Sequence, residues 1–143
     1  MEPEDHIIRQ LKKQRIDFEL LQKNYDPSAD SLVSKTVKKW SDKFIGDKSA
    51  PNLDNYLWHI FSFGATKYKV GNEALSELKK QWNADTLIFN EPQQYLIKCT
   101  GEIPIIEMDD FTDDIYLSHH NMKWTYVIPH EIPDFGPYFS SGD

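Results

Sequence analysis

Near the start of the chain Ile7, Ile8 and Leu11 recur at helical spacing, and RIDFEL then alternates, with Ile16, Phe18 and Leu20 set against Arg15, Asp17 and Glu19. Spacings of three and four share one face of a helix, whereas a period of two shares one face of a strand. A short helix followed by a strand is predicted. Turn and capping residues in NYDPSAD lead into Val33, Val37, Trp40 and Phe44, an amphipathic stripe that Gly46 is suited to end. LDNYLWHIFSF puts Leu53, Leu57, Ile60 and Phe61 on one face, with Asn52 or Asp54 as N-cap. EALSELKKQW carries a further stripe of Ala74, Leu75, Leu78 and Trp82.

From Asp85 onward the helical period gives way to β-rich runs. DTLIF and QYLIKC, joined by NEPQ with its turn-forming Pro92, predict a hairpin, and IPIIEM predicts a further strand. DIYLS and KWTYVI predict a second hairpin across HHNM, with Trp124, Tyr126 and Ile128 on its core face and Tyr138 and Phe139 packing the C-terminus back onto it. Helices come mostly first and strands mostly last, an order that argues for an α+β fold. The expected arrangement is a mainly antiparallel sheet of about four to six strands from the C-terminal half, which the early strand around Phe18 can join, covered on one face by about three or four helices from the N-terminal half.

With 143 residues, 39% of them hydrophobic, and four Trp, seven Tyr and eight Phe, the chain can bury one substantial core but not two. A single domain over 1–143 is expected, with the tail SSGD at about 140–143 fraying. No apolar run approaches the roughly 20 residues that span a bilayer, and the N-terminus is acidic where a signal peptide is basic. No membrane association and a cytoplasmic location are therefore expected. The lone Cys99 has no second thiol for a disulfide or a zinc cluster and reads as a small buried hydrophobe.

Charge divides the chain. Residues 1–71 carry a net +2 and residues 72–143 a net −9, together the −7 of the whole. An acidic half repels phosphate backbones, which argues against nucleic acid and favours a basic protein as partner. The carboxylates available to meet it are Glu107, Asp109, Asp110, Asp113 and Asp114. Their spacing fits no EF-hand loop and lacks its glycine, so a solvated acidic loop is expected rather than a cation site.

Three of the five histidines fall within residues 114–131. His119 and His120 sit at the predicted hairpin tip as exposed turn residues. His130 lies more than roughly 20 Å along the strand, so one metal ion cannot join the two ends. The chain lacks the H-E-x-x-H spacing and nearby cysteine ligands, and neither metal nor cofactor is expected. His130 and Glu131, held between Pro129 and Pro133, have the placement general-base chemistry favours, but no glycine-flanked serine or phosphate loop accompanies them. A structural hydrogen-bonding role is the expectation for the pair, and a satisfied, partly buried position for His59.

The aromatic motifs LDNYLWHIFSF, DIYLSHHNMKWTYVIPHE and GPYF resemble a family of small uncharacterised bacterial proteins, a domain of unknown function, over roughly residues 50–139. The resemblance implies a cytoplasmic bacterial α+β protein and brings no activity with it. Two function classes follow from the residues. The first is a non-enzymatic protein-binding module, of the immunity or inhibitor type, that meets a basic partner through its carboxylates. The second is a small hydrolase or metal-dependent enzyme using His59, His130 and Glu131 in a pocket lined by Trp58 and Tyr126.

Overall fold

The computed structural model describes residues 2–46, 57–62, 67–107, 113–130 and 136–142, without the side chains of His59 and Ser62. Its helices are α1 (Asp5–Lys13), α2 (Leu32–Phe44), α3 (His59–Ser62) and α4 (Asn72–Gln81). Its strands are β1 (Asp17–Lys23), β2 (Lys69–Val70), β3 (Thr86–Glu91), β4 (Tyr95–Thr100), β5 (Asp114–His119), β6 (Thr125–Ile128) and β7 (Tyr138–Ser140). The strands form one sheet in the order β1-β4-β3-β5-β6-β7-β2, with every pairing antiparallel. The fold is α+β.

Every residue of β5 and β6 is buried, the signature of central strands covered on both faces. Alternation sends Ile115 and Leu117 to one face and Tyr116 to the other. On the first face Ile7 and Leu11 of α1 and Ala74 and Leu78 of α4 join the core of Ile88, Ile97, Leu117, Trp124, Tyr126 and Ile128. On the second, Val33, Trp40 and Phe44 of α2 and Ile60 and Phe61 of α3 pack with Phe89, Leu96, Tyr116 and Val127. Trp40 anchors this face: its ring lies 5.2 Å from both Phe44 and Tyr116, and its indole N–H donates to Thr125 Oγ1 at 2.9 Å. Aromatic pairs of this kind add about 0.5 to 1.5 kcal/mol each beyond the area they bury. Helix α2 starts on Ser31, whose side chain accepts from the Ser34 N–H, and ends where Gly46 turns to φ +55.

Several expectations change. Among the described residues the sheet has seven strands rather than four to six, because the short β2 and β7 join it; the early strand β1 does join, at the edge opposite β2, and helices cover two faces rather than one. Helix α4 stops at Gln81, and Trp82, at φ +23, leaves the buried stripe and is 68% exposed. The proposed helix start at Asn52 or Asp54 lies outside the described residues. Ser140, grouped above with the tail, is the last residue of β7, 2% exposed, and donates to the Lys67 carbonyl at 2.7 Å.

IPIIEM is not a strand over its described part. Its backbone finds two glutamine side chains instead. The Gln14 amide donates to Ile105 O at 2.7 Å and accepts from Ile105 N–H at 2.9 Å, and Gln10 does the same with Glu107 at 3.0 and 2.7 Å. Four residues of helix rise about 6 Å and two residues of extended chain about 6.6 Å. Glutamines four apart on α1 therefore match carbonyls two apart on an extended segment.

Candidate functional site

Strand β5 carries a polar cluster at its first residue and lines a groove at its last. The two ends are five residues, or about 17 Å, apart.

At the first end the register pairs Asp114 with Glu91 across β5 and β3. Asp114 is 1% exposed, and its Oδ1 accepts from the His130 backbone N–H at 2.8 Å while lying 2.7 Å from His130 Nδ1. Tyr116, two residues on and therefore on the same face, donates its hydroxyl to Glu91 Oε1. The same oxygen accepts from the Leu57 N–H at 3.0 Å, and the Tyr116 hydroxyl accepts from the Trp58 N–H at 3.1 Å. The chain entering α3 is thus tied to the sheet by a carboxyl and a phenol. Burial pushes Glu91 up from 4.5 to about 7; hydrogen bonds from Tyr116 and Leu57 work against the rise, the Asp114 charge adds to it and His130 opposes it. Burial, then the Glu91 charge, holds the Tyr116 phenol well above its ordinary value. A carboxyl that exchanges its proton near neutrality beside a His–Asp pair has the chemistry of general acid–base catalysis.

At the other end a groove of about 920 Å³ opens beside α4, β7 and the β5–β6 turn. His119, Trp124 and Phe139 line it, as do Tyr68 and three lysines, Lys67, Lys69 and Lys123, with Glu77 as the one acid among the described residues. Trp124 and Phe139 stack at 5.8 Å and 22°. His119 corrects the exposed-turn expectation: it is the last residue of β5 and 9% exposed, with Nδ1 accepting the Asn121 N–H at 3.0 Å, while His120 alone is exposed. Burial lowers the His119 pKa, the nearby His120 and Lys123 lower it further, and Asp85 opposes them.

The predicted site residues scatter. Trp58, 1% exposed, belongs to the second face of the sheet and Tyr126, 4% exposed, to the first, so the two cannot line one pocket. Burial pushes the Tyr126 hydroxyl up to about 12. The His59 side chain, Glu131, Asp109 and Asp110 lie outside the described residues. Asp113 accepts from Asn90 at 2.7 Å, Asp114 is committed to His130, and Glu107 is exposed. Buried Cys99 fits its expected packing role; burial pushes its thiol up to about 12 against the lowering effect of a hydrogen bond with Thr86. Sequence reasoning missed Glu91 and Tyr116, which become partners only through strand register. It also missed the groove, although two lysines flanking an aromatic in KYK, residues 67–69, signalled it.

Among the described residues no three His, Cys, Asp or Glu side chains are grouped to hold a metal ion, and no helix is long and apolar enough to cross a membrane. No curated protein and no solved structure matches the chain. A family model described as Domain of unknown function (DUF4275) covers residues 6–139, a span that includes both ends of β5, and the chain belongs to that family.

Proposed function

We propose that this protein is a non-enzymatic binding module whose seat is the groove at the His119 end of β5. The observation that carries this reading is the groove itself. Ligand sites are typically concavities of about 300 to 1,000 Å³ with an apolar lining and a few convergent polar groups. The groove has that size, and Trp124 and Phe139 give it an apolar floor among more numerous polar side chains.

A basic protein partner is supported less well. Of the five carboxylates assigned to it, Asp114 is buried beneath His130, Asp113 is bonded to Asn90, and Glu107 is exposed. A soluble fragment library screened by amide chemical-shift mapping tests the reading. Hits are expected to move the amides of Lys67–Lys69, His119, Trp124 and Ser140–Ser141. Hits confined to Glu91, Tyr116 and His130 would overturn it.

A second reading, acid–base catalysis by His130 with Asp114 and Glu91, is favoured by the 2.7 Å contact between His130 Nδ1 and Asp114 and by the raised Glu91. The enzyme reading retains His130 from its original set and gains Glu91. Fragment hits at that end of β5, with turnover lost in Glu91→Gln, are its expected signature.

A further inference from the structure

The groove carries three lysines and one glutamate, a surplus of positive charge on a chain whose net charge is −7. Residues 72–143 hold four lysines against thirteen acids, and one of those four, Lys123, is at the groove. Lys69 is partly answered by Glu77 at 3.8 Å, a contact Glu77 shares with Lys80 at 3.1 Å. Neither contact involves Lys67 or Lys123.

The remaining lining sets Trp124, Phe139 and Ala84 among amide and hydroxyl side chains. The stacked Trp124 and Phe139 form the floor beneath the lysines, while the Tyr68 ring, 39% exposed, packs on Tyr138 and Phe61 of the other face. His119 adds a donor: its Nδ1 is occupied as an acceptor by the Asn121 N–H, so the neutral ring keeps its proton on Nε2. Cationic ammonium groups attract an anion, an aromatic wall takes a planar ring, and the two together select a molecule having both. Macromolecular polyanions are disfavoured by the net charge of −7, which leaves a compact ligand.

We propose that the groove binds a small organic anion with a flat apolar body, its charge met by Lys67, Lys69 and Lys123 and its body lying against the Trp124–Phe139 floor. This rests on the reading of the groove as the binding seat.

Two dyes of the same ring system separate the two claims: 8-anilino-1-naphthalenesulfonate, which carries a sulfonate, and N-phenyl-1-naphthylamine, which does not. Each is titrated by fluorescence into the native protein, the Lys67→Ala/Lys123→Ala variant, the Lys12→Ala/Lys13→Ala variant with its changes on α1, and Ala84→Trp, which fills the groove. Thermal melts run alongside confirm that each variant is folded. The expected result is that the sulfonate binds at least tenfold more tightly than the neutral dye, loses at least tenfold in Lys67→Ala/Lys123→Ala, and keeps its affinity in the α1 variant. If both dyes bind equally, ignore the lysines and are expelled by Ala84→Trp, the groove stands as the seat and the anion is overturned. If neither dye binds, or Ala84→Trp expels neither, both claims fall.

Discussion

At its first residue β5 sets Asp114 beneath His130 and beside Glu91, and at its last it sets His119 in a groove with Lys67, Lys69 and Lys123. The first end is closed upon itself. Tyr116, Leu57 and Trp58 supply donors to the carboxyl and the phenol, and Asp114 receives His130. The second end turns ammonium groups toward open space. Polar groups bonded to one another hold a fold together, while convergent groups around an open concavity await a ligand. One strand therefore shows polar groups in both settings, and the contrast underlies the proposal that one end serves stability and the other binding.

The strongest test of this contrast is Trp124→Ala, because Trp124 is 4% exposed and stacks on Phe139 beneath the groove. Removing a large buried aromatic costs about 3 to 5 kcal/mol, so urea denaturation should show a loss of that order and dye binding should go with it. Glu91→Gln probes the other end. The folded protein holds the Glu91 proton more tightly than the unfolded chain does, so the stability tied to this group is fully present below pH 4.5 and is lost as pH rises through about 7. Over that window the wild type should lose on the order of 3 kcal/mol relative to Glu91→Gln. Denaturation curves from pH 4.5 to 8 check it, and parallel curves for the two proteins would remove Glu91 from the account.

Asp114→Ala strands the His130 backbone N–H and should cost about 1 to 3 kcal/mol by the same measurement, with dye binding at the far end unchanged. A loss of dye binding would show that the two ends are coupled and break the division of roles. His120→Asn is the smallest change, an exposed turn residue expected to shift stability by no more than about 0.5 kcal/mol in a thermal melt.

Much of the fold was legible because alternation is a direct image of a pleated strand. Trp124, Tyr126 and Ile128 do share a core face, and the NEPQ hairpin pairs Thr86 with Cys99 and Phe89 with Leu96. Period alone cannot say which face of a sheet a helix covers, and so Trp58 and Tyr126 were placed together although the sheet lies between them. The Glu91–Asp114 pair depends on register between strands separated by an entire intervening strand, and no local pattern encodes it. The groove draws on β2, α4, β5 and β7 at once. IPIIEM looked like a strand for sound local reasons and still became none, since the partner its backbone found is a pair of side chains.

Those two glutamines also bear on the order in which the molecule assembles. Helix α1 forms its own hydrogen bonds locally, yet the groups that fix it in place lie 91 and 97 residues away along the chain. Contacts so distant in sequence require the largest loop closures, which slow folding and come late. Helix α1 can therefore form early and still be among the last parts to be seated. Its seating is also digital: a slip of one residue along the helix axis misaligns both amides together, so the segment locks in one position or not at all.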